Sequence, residues 1–126
     1  LLLMVINRTE IMLGLLKLVK SNASQSEKDT AYLVGMLSLI YLLFEIEHRE
    51  FLHKLRVTDE IEEAMFEATG FFGQLLTMTR YVENIDTKEI NKFIKKHKIN
   101  VDEMNTLIAD AMIRVNLFDE IIQDGF

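Results

Sequence analysis

The stretch Ala31-Tyr-Leu-Val-Gly-Met-Leu-Ser-Leu-Ile-Tyr-Leu-Leu-Phe44 decides the fold. It carries no charge, and only Gly35 and Ser38 fall outside the apolar set. A helix that is apolar all the way round belongs in the middle of a bundle or in a membrane. At 14 residues the run is shorter than the roughly 17–25 needed to cross a bilayer, so it reads as a buried core helix.

Working outward, the pattern is helical throughout. Proline is absent and there are five glycines, and capping signals recur between apolar-periodic stretches. A first helix is expected over Leu2–Val19, with Ile11, Leu15 and Leu18 at helical spacing and Leu16 and Val19 widening the stripe. Ser24 stands three before Glu27, the spacing of a capping box, and opens the helix that holds the central run. A short helix follows at about 46–55. Asp59 is the expected cap of the next helix, with Glu62 at the box position and the stripe Ile61, Ala64, Met65, Ala68. Gly70 is its expected left-handed terminator. Further helices are expected over about 72–83 (Leu75, Leu76, Met78, Thr79, Val82), after Asp86 or Thr87 (Ile90, Phe93, Ile94), and from Asn100 to about 122. The last has the apolar set Met104, Leu107, Ile108, Ala111, Met112, Val115 and Phe118, with Gly125 just past its end. The reading is all-α: a compact multi-helix bundle of about seven helices in a single domain over residues 1–126.

Composition narrows the function classes. Forty-nine per cent apolar and 27% charged residues suit a folded domain. The absence of cysteine removes disulfides, thiolate catalysis and cysteine-based zinc sites. A net charge of −6 argues against nucleic acid as a partner. The opening Leu1-Leu-Leu-Met-Val-Ile6 lacks the flanks of a signal peptide, and Arg8 and Glu10 interrupt it too early for a membrane span. A cytoplasmic protein is the expectation. An apolar helix at the very start further suggests that residues 1–126 belong to a longer protein.

Candidate chemistry is sparse. Glu45-x-x-His48 and Glu50-x-x-His53 have the spacing of a di-iron motif, but such a site needs two motifs on different helices plus two more carboxylates. The pairs are therefore read as surface salt bridges. His97 ends a helix, where a partly charged imidazole would complement exposed carbonyls. Asp59, Glu60, Glu62 and Glu63 lack the loop of a calcium site and are read as solvated acids at a helix N-terminus. Lys88, Lys92, Lys95, Lys96 and Lys98 are read as a solvated face. There is no glycine-rich phosphate loop, no G-x-S-x-G elbow and no H-E-x-x-H. No catalytic, cofactor-binding or metal-binding residue is assigned, and no cofactor is expected.

Three segments carry a resemblance. Ala31-Tyr-Leu-Val-Gly-Met-Leu-Ser-Leu-Ile40, Leu55-Arg-Val-Thr-Asp-Glu-Ile-Glu-Glu-Ala64 and Gly70-Phe-Phe-Gly-Gln-Leu-Leu76, with Tyr81-Val-Glu following, resemble A-F-L-V-G-L-L-S-L-L, L-P-L-S-D-E-I-x-x-A, G-x-L-G-x-L-L and A-Y-E. These belong to the C-terminal part of the HDOD (HD-related output domain) module of bacterial signalling proteins, in the form that follows an EAL domain of the cyclic-di-GMP phosphodiesterase type. The departure is Arg56, where the family often has proline. The resemblance implies an HD-domain-like fold. In HD phosphohydrolases the equivalent of Ser38-Leu39 is a metal-binding His-Asp pair. Leucine cannot ligate a cation and a lone serine is a poor ligand, and without a metal there is no activated water. The resemblance thus implies a non-enzymatic signal-transduction module with no metal. Its partner would be another protein, an upstream EAL-like domain or a second copy of itself, with neither nucleic acid nor membrane involved. The rival readings are a free-standing oligomerisation or partner-binding bundle and a metal-dependent HD-type phosphohydrolase whose His and Asp lie upstream of Leu1.

Overall fold

The computed structural model of the chain describes residues 2–43 and 54–125. Among these, six α-helices follow one another: α1 (Leu2–Val19), α2 (Gln25–Leu43), α3 (Asp59–Phe66), α4 (Gly70–Glu83), α5 (Thr87–His97) and α6 (Val101–Gly125). No strand occurs among the described residues. The short helix expected over 46–55 lies outside them apart from Lys54 and Leu55, and so do Glu45, His48, Glu50 and His53.

Local signals set most boundaries. The capping box before α2 is reciprocal: the Glu27 amide donates to Ser24 Oγ at 3.1 Å and the Ser24 amide donates to Glu27 Oε1 at 3.0 Å. Asp86 caps α5, accepting from the Glu89 amide at 3.3 Å. Asn100 accepts from the Glu103 amide at 3.0 Å where α6 begins. Two expectations need correction at α3. Its cap is Thr58, whose hydroxyl accepts from the Ile61 amide at 3.3 Å, and Asp59 is already the first helical residue. Its left-handed terminator is Ala68 (φ 54°), expected as the last residue of the apolar stripe but lying past the helix end and exposed, while Gly70 (φ 74°) opens α4. The Thr69 amide reaching back to Glu63 O at 3.4 Å closes that end. α6 also runs on through Gly125 rather than stopping before it.

The helix at the centre is α1, which packs against α2, α4 and α6. Ile11, Met12, Leu15 and Leu16 are essentially without solvent contact, joined by Val34 from α2, Leu75 and Leu76 from α4 and Met104 from α6. Gly35 sets the close α1–α2 approach: a Cβ there would stand 3.1 Å from Met12 Cγ and 3.3 Å from Thr9 Cα. Residues 31–41 are less enclosed than their composition suggests. Ala31, Val34, Leu37, Ser38 and Leu39 are buried, but Tyr32 is 46% exposed and Leu33, Met36, Ile40 and Tyr41 are half-buried. This stretch forms one wall of the core, and α1 forms the middle. No described helix is long and apolar enough to cross a membrane.

Candidate functional site

Ser38, the position that the resemblance equates with a metal-binding histidine, lies in a buried polar cluster. Its Oγ accepts from Arg8 Nη1 at 3.1 Å and donates to Gly35 O at 2.9 Å. The same Arg8 grips Glu83 with two parallel bonds, Nε to Oε2 at 2.9 Å and Nη2 to Oε1 at 2.7 Å. α1, α2 and α4 are tied together at one point. The Arg8 side chain is 9% exposed and that of Glu83 22%, so their charge-assisted, bidentate pair is partly shielded from water. Arg80, one turn before Glu83, stands close enough to feel both. Burial first, then repulsion by Arg8, lowers its pKa, and Glu83 acts in the opposite direction.

The chemistry available here is ionic and structural. Leu39 is buried beside Ser38 and offers no donor atom. With two guanidinium groups in the neighbourhood, the local field opposes a further cation and favours a carboxylate, which Glu83 supplies. Among the described residues no group of three or more His, Asp or Glu side chains converges as a metal site would require.

The remaining candidates are scattered. Asp59, Glu60 and Glu63 are exposed, as the sequence suggested, but Glu62 is 6% exposed and belongs to the interior. All five lysines of the basic run are exposed, and Lys92 pairs with Glu89 at 3.2 Å. His97 differs from expectation. Its ring centroid lies 4.5 Å from that of Phe93, and burial with the neighbouring Lys96 charge pushes its pKa below the ordinary histidine value. Arg56 has φ 57°, a conformation closed to proline, so this turn is built differently from one with proline at that position.

Sequence reading missed Arg8 and Glu83. One signal was present: Arg8 stands three, four and seven residues before Ile11, Met12 and Leu15. That places it on the apolar stripe rather than the solvent face.

A second feature is a surface. α1 and α6 run antiparallel, since Gly14 lies against Leu107 while Arg114 Nε donates to Asn7 Oδ1 at 2.7 Å. Beyond Asn7 and Arg114 many apolar side chains of the pair face solvent, although Leu3, Val5 and Phe118 are half-buried. Leu2, Met4 and Ile6 on α1, and Met112, Ile113, Val115, Leu117, Ile121 and Ile122 on α6, are 40–70% exposed. Met112 and Val115 had been expected inside. Alongside lies a groove of 680 Å³ floored by Leu13, Gly14 and Leu107 and edged by Glu10, Lys17, Lys28, Asp110 and Arg114. Charges of both signs line it, so it selects no ligand by sign.

Neither a family model, nor a curated protein, nor a solved structure matches the chain.

Proposed function

We propose that this chain is a non-catalytic helical regulatory module that acts through protein contacts, of the HDOD kind and coupled to an EAL-type cyclic-di-GMP phosphodiesterase-like domain. The observation that carries the non-catalytic part is the use made of Ser38. Where the resemblance places a metal-binding pair, Ser38 spends its hydroxyl on Arg8 and Gly35, and the adjoining charges are guanidinium groups. The uncovered apolar face of α1 and α6 supports the contact part. Exposed apolar patches rimmed by polar residues mark interaction sites.

Two measurements test the reading. Metal analysis with a nucleotide-hydrolysis assay should find no stoichiometric metal and no turnover; both together would sink it in favour of an HD-type phosphohydrolase. Phosphodiesterase activity or cyclic-di-GMP binding of the whole protein should change when residues 1–126 are removed. Unchanged activity would leave a free-standing oligomerisation or partner-binding bundle, a reading that the same apolar face also favours.

A further inference from the structure

The apolar end of the α1–α6 pair is bordered by acids. Asp119 and Glu120 stand among its α6 residues and Asp110 just before them, against a single cation, Arg114. That cation already donates to Asn7. On the adjoining part of α1, Glu10 is exposed while Arg8 is buried and neutralised by Glu83. Ile113, Leu117 and Ile121 recur every four residues and make one strip along α6, turned away from the buried Met104 and Ala111 side, while Val115 and Ile122, seven apart, lie on the side that meets α1. Residues 112–122 cover roughly 15 Å at about 1.5 Å per residue, the length of a three-turn helix laid alongside.

We infer that this face docks an amphipathic helix of another protein, apolar on one side and flanked by lysine or arginine. The inference rests on the reading of the chain as a partner-binding module. Charge decides among the possible occupants. A second copy would set one acidic border against another, in a chain whose net charge is already −6. An anionic lipid surface would be repelled for the same reason, since juxtamembrane attraction needs basic residues. A basic amphipathic helix satisfies both needs of the surface: its apolar stripe lies along Ile113, Leu117 and Ile121, and its cations meet Asp110 and Glu120 beside that strip. This is the helix-in-groove mode, with anchors at three- and four-residue spacing.

The probe is a labelled synthetic helix of about 18 residues, long enough to exceed the strip, with leucine on one face and lysine on the other. Its control has glutamate for every lysine. Fluorescence anisotropy should show binding by the lysine peptide, weakening with added salt, and none by the glutamate peptide. Leu117→Asp with Ile121→Asp should weaken binding by about tenfold or more, as loss of central anchors does. Asp110→Lys with Glu120→Lys should weaken it and flatten the salt dependence. Glu60→Lys with Glu63→Lys, on α3, should leave it unchanged. All these positions are exposed, so helicity and melting temperature should be retained and the charge pair alone suffices should the apolar pair disturb folding.

Equal binding of both peptides, or equal losses from the α3 and α6 charge variants, would overturn the inference. So would concentration-dependent dimerisation abolished by Leu117→Asp with Ile121→Asp, which would give the face to a second copy, or binding to phosphatidylserine vesicles. Any of these leaves the non-catalytic module standing. Metal-dependent turnover would instead remove that module while the peptide result stood by itself.

Discussion

On the core side of the α1–α6 contact, Ile11, Leu15 and Met104 have no solvent contact. Two turns further along the same two helices, Met4, Ile6, Val115 and Leu117 are about half exposed. Side-chain chemistry is alike at the two ends. What differs is the company. At the enclosed end α2 and α4 close over α1, and the α1–α2 turn is fastened by Lys20 on Glu27 at 2.7 Å. At the other end α4 stops at Glu83, level with Arg8, and among the described residues α2 continues only to Leu43. The comparison teaches that burial here is a property of the third and fourth helix present, and that apolar content alone says nothing about it. The Arg8–Glu83 pair marks the border between the two regimes.

The comparison can be broken first by truncation. Leu15→Ala should lower unfolding free energy by about 4 kcal/mol, in the upper part of the range for fully buried leucine. Leu117→Ala should change it by only about 0.5 kcal/mol or less, as exposed positions do. Urea denaturation of both variants checks this, and similar losses would erase the distinction. At the border, Glu83→Gln should cost about 3 kcal/mol because it strands the Arg8 charge in a mostly dry site. Arg8→Met combined with Glu83→Leu should recover most of that loss, and a double-mutant cycle by denaturation measures the recovery.

Smaller effects sharpen the picture. Gly73→Ala places its Cβ 2.5 Å from the Ala68 carbonyl carbon. Backbone cannot yield cheaply, so a loss of about 1–3 kcal/mol is expected. Gly14→Ala meets only the end of the Leu107 side chain, at 2.7 Å. That chain can rotate, and alanine gains up to about 1 kcal/mol of helix propensity. Thermal melts should therefore place Gly14→Ala near neutral and Gly73→Ala well below wild type. The smallest effect is one of pH. Bonds from Lys20 and Ser24 lower the Glu27 pKa from 4.5 to about 2. The folded state holds this carboxylate charged more readily than the unfolded chain does. Its contribution is thus complete above about pH 4.5 and is lost as pH falls toward 2. An NMR titration of Glu27 in wild type and in Lys20→Ala reads it directly, the variant titrating nearer its ordinary value.

Helix existence was largely legible in the sequence, because its signals are local. The limits of α1 and the capping boxes and caps at Ser24, Asp86 and Asn100 are read within four residues of themselves. The Thr58 cap was missed because Asp59, an equally good cap, stands beside it. Ala68 was missed because glycine at position 70 is the stronger left-handed signal and terminates nothing. The Arg8–Glu83 contact spans 75 positions along the chain, and no local pattern announces a partner so distant. Met112 and Val115 fit the inward periodicity of α6, yet periodicity cannot say where the covering helices end.

The left-handed helix ends at Ala68, Ile85 and Lys98 have a kinetic consequence. The chain stops and redirects its helices by backbone torsion alone, with no proline anywhere in the sequence. No X–Pro bond has to isomerise, and that step, on the order of 10–100 s at 25 °C, is the usual source of a slow refolding phase. Refolding from denaturant should accordingly finish without one, whatever the length of time spent unfolded.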